Sequence, residues 1–135
     1  MYAPLLAAAV LFAAPAEAKP AEQPALHKVE KNLIDRTNAE RARFGLSPLR
    51  LDASLLKSAR SHAGWMARSG NLQHTTASVA ENIAMGQQSS AEAVRSWMNS
   101  SGHRANMLNA GYTRVGAAAY TGRNGRIFWC LQFLQ

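Results

Sequence analysis

The sequence has a single cysteine, few acidic residues and no motif that identifies a catalytic reaction. Because Cys130 stands alone among 135 residues, an intramolecular disulfide is excluded and stability must come from packing. Because its flanking residues are apolar, Cys130 is expected to be an unreactive residue of the core. No nucleophile-plus-base spacing and no phosphate-binding glycine loop is present, so a binding site is easier to defend than a catalytic one.

Long hydrophobic runs are also lacking. The apolar run of residues 5–14 is far shorter than the roughly 20 residues of a transmembrane helix, so no stable membrane span is predicted. It ends in small residues and in Ala16-Glu17-Ala18, which is typical of a signal peptide, although no Lys or Arg precedes it. We therefore predict a signal peptide over residues 1–18, a flexible leader over 19–26, one domain over 27–135, and a secreted or periplasmic location.

Acidic residues are outnumbered by basic ones, 8 against 15, which gives a net charge of +7. An exported protein of this charge is expected to attract an anionic cell-envelope polymer or a membrane surface, whereas its compartment excludes nucleic acid. Solubility alone explains the charge equally well. A monomer is expected.

Apolar periodicity predicts three helices. The first begins near Val29 and ends at Gly45, and the second follows the N-cap Asp52 and stops at Ser69-Gly70. The third begins at Ser89, where the Ser89/Glu92 spacing matches a capping box, and is predicted to end at Gly102.

Strands are predicted in the C-terminal part. Residues 115–120 and 126–133 flank Asn124-Gly125, which predicts an antiparallel hairpin with a turn of the primed type and positive φ at both central residues. Residues 81–84 are a plausible third strand. Helices and antiparallel strands without a βαβ rhythm indicate an α+β domain.

Two imidazoles and a carboxylate, His74, Glu81 and His103, are the best candidates for a site. His74 lies in an irregular segment after a helix, and His103 is predicted just past a helix end. Imidazole nitrogen and carboxylate oxygen are ligands of Zn²⁺ or another divalent cation. His27 is predicted at the surface, and His62 is expected to be a hydrogen-bonded core residue.

A structural role for the same residues is an equal alternative. Glu81 lies among apolar residues, where an unpaired carboxylate is costly, so it needs a partner. His103 or Arg104 could supply the charge, and the pair would then be structural. Ser100 lies beside His103, but hydroxyls at helix ends are usually caps.

Taken together and in order, a set of motifs in this chain resembles the CAP superfamily, also called SCP-like. The motifs are Asn38-Ala39-Glu40-Arg41, Gly45-Leu46-Ser47-Pro48-Leu49, His74, Ala80-Glu81-Asn82-Ile83-Ala84, Trp97-Met98-Asn99-Ser100 and Gly102-His103-Arg104-Ala105-Asn106-Met107-Leu108. The resemblance implies an α-β-α sandwich with a small antiparallel sheet between helices. It also implies a cleft in which His74, Glu81 and His103 occupy three positions of a tetrad of two His and two Glu.

The fourth position departs from that tetrad, because Ser100 stands where larger members carry the second Glu. In family members with the full tetrad the cleft is linked to a divalent cation such as Zn²⁺, and several members bind a lipid or sterol-like ligand in a separate pocket; the resemblance therefore makes both possible ligands of this chain. No common enzymatic activity defines the family.

These observations predict an extracellular or periplasmic binding module. The predicted metal ligands are His74 and His103, and Glu81, Asn82, Ser100 and Arg104 are assigned to the surrounding cleft. One alternative is a metal-dependent hydrolase in which Glu81 acts as general base. Another is a purely structural His/Glu cluster, with function residing in the basic surface.

Overall fold

Four helices and four strands account for the described chain. The computed structural model describes residues 13–19 and 22–135, so most of the predicted signal peptide and part of the leader lie outside the described residues. The helices are α1 (Lys28–Arg43), α2 (Ala53–Ser69), α3 (Ser90–Met98) and α4 (Ser101–Met107). The strands are β1 (Arg50–Leu51), β2 (Ala80–Met85), β3 (Arg114–Thr121) and β4 (Ile127–Leu134). No helix of the described part is both long and apolar enough to cross a membrane.

The strands form one sheet in the order β1-β3-β4-β2, so β2 lies at an edge. The β3/β4 and β4/β2 pairs are antiparallel, and the two-residue β1, which the sequence did not predict, runs parallel to β3. Such a short strand has too few residues to show a period.

Alternation along β4 divides the core between the two faces of this sheet. Trp129, Leu131 and Phe133 face the layer of α1, α3 and α4, while Phe128 and Cys130 face α2. Successive strand residues point to opposite faces, so a strand covered on both sides is apolar throughout. The predicted α-β-α sandwich is confirmed.

Gly116 in β3 sets how closely α2 approaches the sheet. A Cβ atom on Gly116 would lie 2.2 Å from the backbone carbonyl carbon of Leu55, a distance that no side chain can occupy. The absence of a side chain at this position therefore allows the backbone of α2 to rest directly on β3.

Two details of the predicted elements were wrong. The third helix ends at Met98 rather than Gly102, because Ser100 adopts an extended backbone and starts the separate helix α4. The hairpin forms as predicted, but its turn is not of the primed type, since no residue other than glycine has a positive φ in the described chain. The Gly125 N–H donates to the Gly122 carbonyl, and within this turn Gly125 is the residue with a positive φ, 78°.

Candidate functional site

Glu81 is the centre of the site, and both oxygens of its buried carboxylate accept hydrogen bonds. It projects from the edge strand β2 towards the α2 face. Oε1 accepts hydrogen bonds from His74 Nδ1 and from the Thr75 backbone N–H, both at 2.9 Å. Oε2 accepts one from Gln132 Nε2 at 2.8 Å and lies 3.5 Å from Cys130 Sγ. The predicted need for a partner is met by His74, whereas the ion pairs found in the described residues include none from Glu81 to His103 or Arg104.

These contacts keep the carboxylate ionised. Burial by itself would raise the pKa of Glu81, but hydrogen bonds from Gln132, Thr75 and His74, together with the charge of His62, lower it below its usual value. Burial and the neighbouring Glu81 charge raise the pKa of the Cys130 thiol well above its usual value. Cys130 is therefore a neutral core residue.

His74 is oriented by Glu81 and is open to solvent on its other side. Its side chain is 63% exposed, although its Nδ1 atom is held by a buried carboxylate. An ionised carboxylate accepts a hydrogen, so in the neutral ring the proton lies on Nδ1 and Nε2 carries the lone pair. A histidine fixed in this way by a carboxylate is the usual arrangement for a metal ligand.

His103 lies inside the first turn of α4, which corrects its predicted place beyond a helix end. Its Nδ1 atom lies 2.9 Å from the Oγ of Ser100, the residue that precedes α4. Burial lowers the pKa of His103, and the nearby charge of His74 lowers it further.

Asn82 is fully buried and holds α4 against the sheet. Its Nδ2 atom donates to the His103 carbonyl at 3.0 Å, and its Oδ1 atom accepts from Asn106 Nδ2 at 3.0 Å. Since Glu81 and Asn82 are consecutive in β2, they point to opposite faces of the edge strand. One residue thus positions His74 and the other positions His103.

Arg104, which was predicted in the cleft, lies elsewhere. Its guanidinium group is 4.9 Å from the centre of the Phe44 ring and lines a separate cavity between α1, α3 and α4. Arg104 follows His103 on a helix, and neighbouring helical residues point about 100° apart. The two side chains therefore face different surfaces.

A small cavity of about 190 Å³ adjoins His74. His62 and Trp65 of α2 line it with stacked rings whose centres are 5.7 Å apart, and Gln73 to Thr76 complete its wall. His62 Nε2 lies 2.6 Å from the Gln73 carbonyl oxygen and 3.9 Å from Glu81 Oε1. This cavity offers an aromatic wall and several polar groups beside the exposed face of His74.

Comparison with known proteins identifies the family of this chain. The model of the cysteine-rich secretory protein family, CAP, matches residues 34–133. This chain belongs to the CAP family.

Bacterial CAP relatives are similar over most of the chain. It is 36% identical to the uncharacterized protein YkwD of Bacillus subtilis over 122 residues, which cover 78% of this chain and 46% of YkwD. A crystal structure of an extracellular SCP-domain protein from Bacillus anthracis has 25% identity and a TM-score of 0.70, covering 78% of this chain and 40% of that one. An outer surface protein of Borrelia burgdorferi has the same fold, with a TM-score of 0.69 at 19% identity, covering 76% of this chain and 89% of that one. The chain thus spans less than half the length of YkwD and of the Bacillus anthracis protein.

The CAP domain does not supply enough side-chain ligands to fill the coordination sphere of a metal ion by itself. Across residues 13–19 and 22–135, no group of three or more His, Cys, Asp or Glu is arranged to hold a metal ion. Both oxygens of Glu81 are already engaged with protein donors. The Nδ1 atoms of His74 and His103 lie within hydrogen-bond distance of Glu81 and Ser100, so each of these two rings could offer its Nε2 atom to a cation. Two imidazoles fit a divalent cation only if water or a bound ligand completes its coordination.

Sequence reasoning missed two residues of the CAP site, His62 and Gln132. His62 forms a hydrogen bond with 10% of its side chain exposed, as expected of a core histidine, but its approach to Glu81 was not foreseen. Gln132 interrupts the apolar β4, and a polar residue in a strand buried on both faces signals a buried polar partner. Its register position between Glu81 and Gly116 identifies that partner.

Proposed function

We propose that this CAP protein is exported and acts outside the cytoplasm as a binding module. His74 and His103 would present their Nε2 atoms to a divalent cation such as Zn²⁺ and to a small polar ligand. The observation that carries the proposal is the buried Glu81 carboxylate, which fixes the proton of an exposed imidazole on Nδ1. Export is supported by the signal-peptide pattern and by the extracellular description of the Bacillus anthracis relative.

The electrostatics of the cleft also favour metal ligation. A histidine must be neutral to bind a metal, and the lowered pKa of His103 keeps its ring neutral near pH 7. Ser100 and the buried Asn82 limit the movement of His103, so less conformational freedom is lost when a ligand binds.

The adjoining cavity supports a polar ligand rather than a metal alone. Two protein nitrogens leave coordination positions for ligand oxygen atoms, and the cavity beside His74 is walled by the Trp65 ring and by polar groups. A small ligand could therefore contact the metal and the cavity together.

A hydrolase is less well supported. The carboxylate of Glu81 accepts three strong hydrogen bonds and has a lowered pKa, so it is a poor proton acceptor. Glu81 is better described as a positioning residue for His74.

Zinc calorimetry on the full chain tests the proposal. We expect saturable binding of zinc chloride in the wild type and its loss in the His74→Ala/His103→Ala variant, because both proposed ligand nitrogens are removed. The matched control is His27→Ala, which removes an exposed histidine from the start of α1 and should leave binding unchanged.

Thermal unfolding of each variant without metal separates binding from folding. Zinc binding that survives in the folded double variant would overturn the proposed site. Wild-type protein that binds no zinc, together with a lower unfolding temperature in the double variant, would favour the purely structural cluster.

A further inference from the structure

A second concave surface, on the opposite layer from α2, is lined by four arginines and several apolar residues. The cavity between α1, α3 and α4 has a volume of about 500 Å³. We call it the arginine groove and define it by Arg36, Arg43, Arg95 and Arg104, which line it together with Phe44, Met98 and one acidic residue, Glu40. It shares no lining residue with the cavity beside His74.

Three of these four arginines are not neutralised by protein carboxylates. Arg43 is paired with Glu40 at 3.1 Å. Within residues 13–19 and 22–135, Arg36, Arg95 and Arg104 form no ion pair. The groove therefore has an excess of positive charge, and a concave surface with low-dielectric walls focuses such a potential.

The charges are spread along the groove rather than gathered at one point. The three unpaired arginines lie on three different helices; Arg36 lies on α1, seven residues and about 10 Å along the helix axis from the paired Arg43. Arg95 lies in the last turn of α3, and Arg104 lies in α4. A single phosphate cannot contact all of these groups, whereas a linear chain with successive phosphates can.

Guanidinium groups suit phosphate because their planar donors match two of its oxygens. The stacking of Arg104 on Phe44 leaves the edge of the guanidinium group free to donate while limiting its movement. Arg36 and Arg95 are exposed and can reach a ligand without rearrangement of the core.

We propose that the arginine groove is a binding site for a linear polyanion with repeated phosphate groups. This site is separate from the histidine cleft, and binding there requires neither a metal nor His74 and His103. It goes beyond the proposed function, because it gives the molecule a second surface for a different class of ligand.

The test compares two variants of the full chain that lose the same charge. The groove variant is Arg36→Gln/Arg95→Gln/Arg104→Gln, and the control is Lys57→Gln/Arg68→Gln/Arg123→Gln, whose residues are exposed and lie outside the groove. The probe is long-chain inorganic polyphosphate, titrated at several salt concentrations because exposed charges are screened. Orthophosphate and vesicles containing phosphatidylglycerol are the comparison ligands.

We expect the groove variant to bind polyphosphate about tenfold more weakly than the control variant, which corresponds to about 1.4 kcal/mol. We also expect orthophosphate to compete poorly, since it offers one phosphate, and the His74→Ala/His103→Ala variant to bind polyphosphate as the wild type does. Equal weakening in the groove and control variants would overturn the proposal in favour of general charge attraction. Binding to the vesicles without binding to polyphosphate would overturn it in favour of a lipid surface.

Should circular dichroism show that the triple groove variant is unfolded, the single variants Arg36→Gln and Arg95→Gln replace it, each compared with Lys57→Gln. Each groove single variant is then expected to weaken polyphosphate binding more than Lys57→Gln does. Equal effects in the three single variants would overturn the proposal.

Discussion

At the scale of single residues, the adjacent pair Glu81-Asn82 organises the histidine site. Because neighbouring strand residues face opposite sides of a sheet, one acidic and one amide side chain reach two different segments from a single edge strand. Glu81 fixes the loop that carries His74, and Asn82 fixes the helix that carries His103. The importance of this dipeptide could be predicted from sequence. Which of its two residues contacts which segment could be learned only from the direction and position of the strand.

Replacing Glu81 with Gln tests its positioning role. The amide keeps the shape but has one acceptor oxygen and a donor group that would face other donors, so we expect a loss of about 1–3 kcal/mol in the free energy of unfolding. We also expect His74 to lose its preference for the proton on Nδ1. Urea unfolding measures the first effect, and long-range ¹H–¹⁵N spectra of the imidazole measure the second.

The control for this change is Glu40→Gln, which removes the same charge from a surface ion pair with Arg43. Surface pairs contribute about 1 kcal/mol or less, so its effect on stability should be small and His74 should be unaffected. An unchanged tautomer in the Glu81→Gln variant would contradict the positioning role.

At the scale of elements, capping and periodicity predicted most of the helices. Asp52 caps α2 by accepting from the Leu55 N–H, and Ser89 caps α3 by accepting from the Glu92 N–H, as their spacings indicated. The break between α3 and α4 was missed because the residues on both sides of it are compatible with a helix. Two residues, Asn99 and Ser100, separate the helices, and Ser100 has an extended backbone.

The contact between α2 and β3 gives a prediction at this scale. In Gly116→Ala the new methyl group would collide with the Leu55 backbone, which cannot move without displacing α2, so we expect a loss of about 3 kcal/mol or more in the free energy of unfolding. Denaturant unfolding at constant pH measures it.

Gly102→Ala is the matched control, because a Cβ atom at that position in α4 meets no atom within 4 Å. Alanine should be neutral there or stabilise the helix by about 0.5–1 kcal/mol. Equal stability of the Gly116→Ala protein and the wild type would show that α2 does not rest on β3 as closely as described.

At the scale of the whole molecule, the layers were predictable and the convergence of the site was not. The alternation in β4 and the apolar stripes of the helices indicate a sheet between helical layers. The meeting of a loop after α2 with the start of α4 depends on β2 being the edge strand, and strand order has no local signal in the sequence. The family resemblance, rather than periodicity, placed His74, Glu81 and His103 in one cleft, and the structure shows the contact of His74 with Glu81.

Two buried carboxylates connect the layers and make the stability of the whole domain depend on pH. Glu30 of α1 binds Arg60 of α2 through both oxygens, at 2.7 and 2.8 Å, while Glu81 binds β4 and the His74 loop. Burial would raise the pKa of Glu30, but hydrogen bonds from Arg60 and the His27 backbone lower it, as the contacts of Glu81 do for that residue. In both cases the folded protein holds the proton more weakly than the unfolded chain does.

We therefore expect full stability from these groups above pH 4.5, the ordinary pKa of a glutamate, and its progressive loss as the pH falls through 4.5 towards the lowered values. Urea unfolding between about pH 7 and pH 3 measures this dependence. Glu30→Gln and Glu81→Gln should each flatten the acid limb of the curve, because the variant no longer takes up that proton on unfolding. Asp35→Asn, which removes an exposed carboxylate of α1 that pairs with Lys31, is the control for the change in net charge. A Glu81→Gln curve that runs parallel to that of the wild type would show that the Glu81 carboxylate titrates alike in the folded and unfolded chains, contrary to its buried hydrogen-bond network.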